Sequence, residues 1–205
     1  MSSVAVLTLP LLLLCLHLAA TQTDVSRCPI NLQRGPSLQG YEGKCYLFET
    51  HHHRDWAHAN NDCRAKGGKL LTIHSSGEQN FIMSALGSLN FQGNGVWLGL
   101  TDQATEGTFV WADGSPVDFV YWANGQPGGL GGIASSQEDC ALLKYRDSGH
   151  WHDYPCSSIL FIQENYGWVC KFDMLPMTTR PVVMASTPSP DVAVSTQSPD
   201  MATVV

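Results

Sequence analysis

Six cysteines behind an apolar leader constrain this chain more than any other feature. Val4 to Ala20 is almost wholly apolar, with Leu11-Leu12-Leu13-Leu14 at its centre and the small pair Ala19-Ala20 at its end. The run is short for a membrane span, which needs about 20 apolar residues, and it ends as a secretory leader does. Residues 1–22 are therefore expected to be a signal peptide, and the mature chain to be secreted and extracellular. Cys15 leaves with that segment. Cys28, Cys45, Cys63, Cys140, Cys156 and Cys170 remain. An even set in an oxidising compartment predicts three disulfides, although six cysteines allow 15 connectivities. No Cys-x-x-Cys pair points to zinc instead.

The net charge of −7 argues against nucleic acid or acidic membranes as partners. Charged residues make up only 14% of the chain, beside 19 Gly and six Trp. That balance suits a loop-rich domain with aromatic anchors rather than a helical bundle.

Periodicity supplies the elements. Cys45-Tyr46-Leu47-Phe48 is strand-like, between Gly43 and the polar run that follows. Asp55 to Ala65 reads as a helix with Trp56, Ala59 and Cys63 on one face, ended by Gly67-Gly68. Leu70 to Ile73 is a short strand. Ser75-x-x-Glu78 has the form of a capping box, which opens a second helix running to about Ala85. Phe81, Ile82 and Leu86 mark its buried side. Trp97-Leu98-Gly99-Leu100 is a buried strand, and Thr108 to Trp111 another, ended by the turn Asp113-Gly114-Ser115-Pro116. Ala123 to Ser136 is a long Gly-rich loop, a length that usually marks function. Cys140 to Tyr145 and Tyr166 to Phe172 read as paired strands. His51-His52-His53 reads as a solvated turn before the first helix, because three adjacent histidines cannot face one ion on regular structure. Residues 176–205 are rich in Ser, Thr and Pro, with a near repeat starting at Ser186 and Ser195, and are expected to form a disordered tail without a membrane anchor. Residues 23–175 are left for one domain.

In order and spacing, these landmarks resemble the C-type lectin-like domain. The resemblance rests on Trp56…Cys63, Gly67-Gly68-Lys69-Leu70, Trp97-Leu98-Gly99-Leu100, Phe109-Val110-Trp111, Asp113-Gly114-Ser115-Pro116, Gln126-Pro127, Glu138-Asp139-Cys140, Trp151-His152-Asp153 and Cys156…Trp168-Val169-Cys170. It spans Cys28 to about Phe172. It implies an α+β fold with two helices flanking small antiparallel sheets, a long Gly-rich loop and three disulfides. The implied pairs are Cys28–Cys45, Cys63–Cys170 and Cys140–Cys156. A loop of about 100 residues closed by the second pair is worth roughly 4.7 kcal/mol on a chain-entropy model, and one of about 15 residues closed by the third roughly 3 kcal/mol.

The resemblance also implies a calcium ion that holds a sugar. Calcium is a hard cation and takes six to eight oxygens. Gln126, Glu138 and Asp153 match ligand positions of the sugar site. Gly128 stands where an Asn or Asp oxygen belongs, and His152 where an Asn belongs; imidazole is a poor calcium ligand. His152 is kept among the residues expected near the sugar, together with Gln126, Glu138 and Asp153. Asp102, Glu106 and Asp139 match an auxiliary calcium position, while Gly129 replaces a further acid there. Gln126-Pro127 is closer to the galactose-type pattern than to the mannose-type pattern. His150 and His152 alternate about Trp151 and are both expected to face the binding surface, which would make binding sensitive to pH.

The expected function is a secreted, calcium-dependent glycan-binding lectin of innate-immune or agglutinating type, and not an enzyme. No Gly-x-Ser-x-Gly, Walker loop or His-Glu-x-x-His occurs. The alternative is a related domain that binds a protein or mineral ligand without calcium. A single weak site needs several copies to hold a cell surface firmly, so a homo-oligomer fits the first reading.

Overall fold

The computed structural model describes residues 24–128, 138–157 and 165–176. The expected leader, the Gly129–Ser136 part of the long loop and nearly all of the expected tail lie outside the described residues.

The chain starts with a hairpin of β1 (Leu38–Tyr41) and β2 (Lys44–Arg54). Glu42 and Gly43 turn it, both with positive φ (44° and 76°). That backbone twist matches the twist of the strands it joins. Helix α1 (Trp56–Ala65), strand β3 (Lys69–Leu70) and helix α2 (Ser76–Ser88) follow. The remaining strands are β4 (Gly95–Thr101), β5 (Val110–Trp111), β6 (Cys140–Lys144), β7 (Trp151–Tyr154) and β8 (Tyr166–Asp173). Among the described residues they form one mixed sheet in the order β1-β2-β8-β4-β6-β7, with β3 on β8 and β5 on β4. The β4–β8 pair is parallel and the others are antiparallel.

Two sequence expectations change here. Strands β6 and β8 do not pair, because β4 lies between them. All seven residues of β4 are buried. A strand buried along its length needs neighbours on both edges, which puts it at the centre of the sheet. The histidine run is also not a turn before α1. It lies inside β2, where pairing passes from Glu49–Trp168 directly to Arg54–Tyr166. Thr50–His53 therefore oppose the single residue Gly167, a four-against-one bulge that carries His51, His52 and His53 into solvent. Smaller differences lie at element ends. The strand expected at Leu70–Ile73 is Lys69–Leu70 and shares only Leu70 with that span, only Val110–Trp111 of Thr108–Trp111 joins the ladder, and α2 runs on to Ser88.

Alternation along β2 and β4 divides the core in two. Tyr46, Phe48, Val96, Leu98 and Leu100 pack with Ile82, Ala85 and Leu86 of α2, together with Trp111 and Trp151. Cys45, Leu47 and Trp97 pack on the other side with Trp56, Ala59 and Cys63 of α1. Each helix thus covers one face of the sheet. The disulfides are Cys28–Cys45, Cys63–Cys170 and Cys140–Cys156. The second ties α1 to β8.

The caps anchor both helices. Asp55 accepts from His58 N at 2.9 Å, and the Trp56 indole donates to Leu98 O at 2.7 Å. Ser75 Oγ accepts from Glu78 N at 3.0 Å, one half of the expected capping box. The other half is redirected. Glu78 Oε2 accepts from His74 N (2.9 Å), while Oε1 accepts from the Tyr46 hydroxyl (2.7 Å) and meets Lys171 Nζ (2.5 Å). Glu78 and Lys171 are 5% and 8% exposed. Glu78→Ala would leave the Lys171 ammonium buried without its counter-charge. Equilibrium denaturation should show a loss of about 3–5 kcal/mol. A loss in the range of a surface pair, about 1 kcal/mol or less, would contradict this assignment.

Candidate functional site

Three strand ends meet at one edge of the sheet. Thr101 at the end of β4 pairs with Cys140 at the start of β6, and Cys140 pairs with Tyr154 at the end of β7. Asp102, Asp139 and Asp153 each lie one residue from that row. The Cys140–Cys156 bridge pins it. Asp102 N donates to Asp139 O (3.2 Å), and the Thr101 hydroxyl donates to the same carbonyl (2.6 Å).

Asp102 is 2% exposed. Its Oδ2 accepts from Gly107 N at 2.8 Å and closes the loop that carries Glu106. Its Oδ1 is buried with no hydrogen-bond partner. Asp153 repeats the arrangement. It is 6% exposed, Oδ2 accepts from Gly128 N at 2.8 Å, and Oδ1 is buried without a partner. Gln126 Oε1 accepts from Asp153 N at 3.0 Å. Asp153 is thus held to the start of the long loop twice, through its N–H to Gln126 and through its carboxylate from Gly128 N. The Gln126–Pro127 peptide is cis.

The acids act on one another. Burial raises the Asp139 carboxyl above its ordinary value, and the Asp102 carboxylate adds to the rise. Burial raises Asp153 too, with Asp102 adding and the bond from Gly128 N opposing. Glu106 is raised by desolvation and then by Asp102, Asp139 and Asp153. These four carboxylates share one electrostatic neighbourhood. Glu138 sits next to Asp139, partly buried, at the start of β6.

The two departures from the expected ligand pattern have structural consequences. Gly128 has φ of 141°, a conformation that side-chain residues rarely adopt. It offers Asp153 an N–H donor where the pattern calls for an oxygen. His152 points to the other face of β7 from Asp153, as the alternating burial of that strand requires. Its Nε2 lies 2.6 Å from Asp147 Oδ2, and that bond holds the Asp147 carboxyl below its ordinary value. His150 stacks on Tyr121, with ring centroids 4.6 Å apart and planes within 5°. Sequence reasoning missed Asp147 as the partner of His152. The available signal was an acid in the turn five residues upstream.

The sheet edge therefore gathers Gln126, Asp153, Asp102, Asp139 and Glu106, and leaves His152 outside. Two buried carboxylate oxygens without donors suit a hard cation that brings its own positive charge. The one group of three donor atoms within 4.8 Å of each other, among the described residues, is Asp62, Cys63 and Cys170, and its two sulfurs are spent in a disulfide.

Comparison with known proteins agrees with this architecture. Residues 52–172 match the family model of the lectin C-type domain. The low affinity immunoglobulin epsilon Fc receptor of Mus musculus is 38% identical over 133 residues, covering 64% of this chain and 34% of that protein. The chain spans less than half the length of the curated relatives it matches. The cow C-type carbohydrate-recognition domain of CD23, solved in the presence of a GlcNAc2Man3 oligosaccharide, aligns with a TM-score of 0.57 at 30% identity, over 70% of this chain and 98% of that one. The carbohydrate-recognition domain of the mouse scavenger receptor C-type lectin aligns with a TM-score of 0.57 at 31% identity, over 69% and 99%.

The disulfide-braced α+β fold is thus that of carbohydrate-recognition domains, which are binding modules and not enzymes. The chain belongs to the C-type lectin domain family.

The raised acids predict a sign. A carboxyl raised by folding favours the protonated state. Its stabilising effect is complete below the ordinary value of 3.8 and is lost as pH rises through the raised one. At neutral pH the ion-free cluster is under repulsion. Asp153→Asn keeps an acceptor for Gly128 N but removes one charge. In the presence of chelator the variant should melt above the wild type at pH 7, with the gap closing towards pH 4. A wild type that melts higher at pH 7 would contradict the account.

Proposed function

We propose that this domain is a secreted lectin that binds glycans through calcium at the acidic sheet edge. The observation that carries the reading is the pair of buried, donor-free oxygens, Asp102 Oδ1 and Asp153 Oδ1. Leaving such atoms unpaired is costly. A dication ligated by oxygens removes that cost and relieves the repulsion among Asp102, Glu106, Asp139 and Asp153. When bound, calcium would offer open coordination positions to neighbouring hydroxyls of a sugar.

In this reading Gln126, Glu138 and Asp153 hold the sugar-site ion, and Asp102, Glu106 and Asp139 the auxiliary one. Gln126 and Glu138 also orient the sugar by hydrogen bonding to its hydroxyls. His152 is committed to Asp147 and stands outside the ion set. Gln126-Pro127 supports galactose-type over mannose-type ligands. With Gly128 supplying no side-chain oxygen, the site is expected to be weak, so binding to cells would draw on several copies. Secretion rests on the leader-like N-terminus. Among the described residues no helix is long and apolar enough to cross a membrane.

Chromatography on immobilised galactose and mannose tests the reading. The wild type should be retained on galactose and released by chelator, and Glu138→Gln should reduce retention at least tenfold. Retention on neither sugar, or retention indifferent to chelator, would favour a protein or mineral ligand instead.

A further inference from the structure

The bulge in β2 releases the histidine run from strand geometry. On a regular strand, His51, His52 and His53 would alternate between faces. Here they oppose only Gly167 across the ladder and are all exposed. Among the described residues none of the three makes a side-chain hydrogen bond, and His52 meets the Trp168 ring at 6.4 Å between centroids. His52 shares a cavity of about 340 Å³ with His58 of α1, and Glu49, Asp62, Arg54 and Lys66 line the same cavity, two acids against two cations.

His58 is already arranged as a ligand. Asp55, which caps α1 through His58 N, also lies 2.6 Å from His58 Nδ1. A carboxylate there can only accept from Nδ1, so in the neutral imidazole the lone pair lies on Nε2. Metal-binding histidines have this support: the second ring nitrogen donates to a carboxylate, which sets the tautomer and raises ligand basicity. The His58 side chain is 71% exposed, so Nε2 is open to solvent. Glu49 and Asp62 are paired with Lys66 and supply negative charge nearby rather than ligand atoms.

We propose that His52 and His58, with Asp55 behind His58, bind a transition-metal dication of the zinc class, its remaining positions filled by water. Imidazole favours such ions over calcium, and the site shares no residue with the acidic sheet edge. The proposal is therefore independent of glycan binding.

Calorimetric titration of zinc chloride into the full chain, with calcium at saturation, tests it. The wild type should show saturable binding. His58→Ala and His52→Ala should each weaken it at least tenfold. Asp55→Asn retains a competent helix cap but loses the carboxylate, and should weaken binding about tenfold. Asp153→Asn should leave the zinc isotherm unchanged. Melting curves identify variants that remain folded, which surface positions 52 and 58 should allow. Absence of saturable zinc binding, or wild-type affinity in either histidine variant, would overturn the proposal.

Discussion

No residue of β4 is exposed, so the strand must be flanked on both edges and covered on both faces. Strand β8 takes one edge, β6 the other, and α1 and α2 close the two faces. The Trp56 indole, bonded to Leu98 O, and the Trp97 indole, bonded to Arg54 O, lock the same strand to the start of α1. The Cys63–Cys170 bridge fastens α1 to β8, a link across 107 residues of sequence. With β4 held this way, Thr101 is buried at its end and bonded to Asp139 O. Asp102, next in the chain, is carried into the sheet edge with it.

That edge is where the fold accepts an unfavourable arrangement. Several acids elsewhere are held low: Asp113 by Ser115 and Lys69 against its burial, Asp118 by His74, Asp173 by Lys44. Near the end of β4 the sign reverses, and Glu106, Asp139 and Asp153 are held high. Perturbed groups gathered in this way are a feature of functional sites. Backbone donors from Gly107 and Gly128 satisfy one oxygen of each buried Asp and leave the other open. The ends of β4, β6 and β7, with the backbone donors of Gly107 and Gly128, hold Asp102, Asp139 and Asp153 at this edge.

Much of this was readable from local pattern. The stripe Trp56, Ala59, Cys63 located α1, and Ser75 located the start of α2, because caps and periodicity act over a few residues. The disulfide pairing was not readable from spacing and came only with the family resemblance. Pairing order also escaped, since apolar runs declare burial but not neighbours; only the full burial of β4 separates β6 from β8. Glu78 shows the same limit. Its role at the helix start was visible, but its partners Tyr46 and Lys171 lie 32 and 93 positions away, and they redirect its carboxylate into the core. At the candidate site the substitutions Gly128 and His152 were plain in the sequence. Their consequences required geometry: an N–H donor to Asp153 in one case, and capture by Asp147 on the opposite strand face in the other.

The central claim is that the two open carboxylate oxygens await a cation. A crystal structure grown with calcium tests it most directly. The account predicts ion density at about 2.3–2.6 Å from Asp153 Oδ1 and from Asp102 Oδ1, the bonding range of calcium to oxygen. Finding both oxygens bonded to water alone, with calcium at saturating concentration, would contradict it.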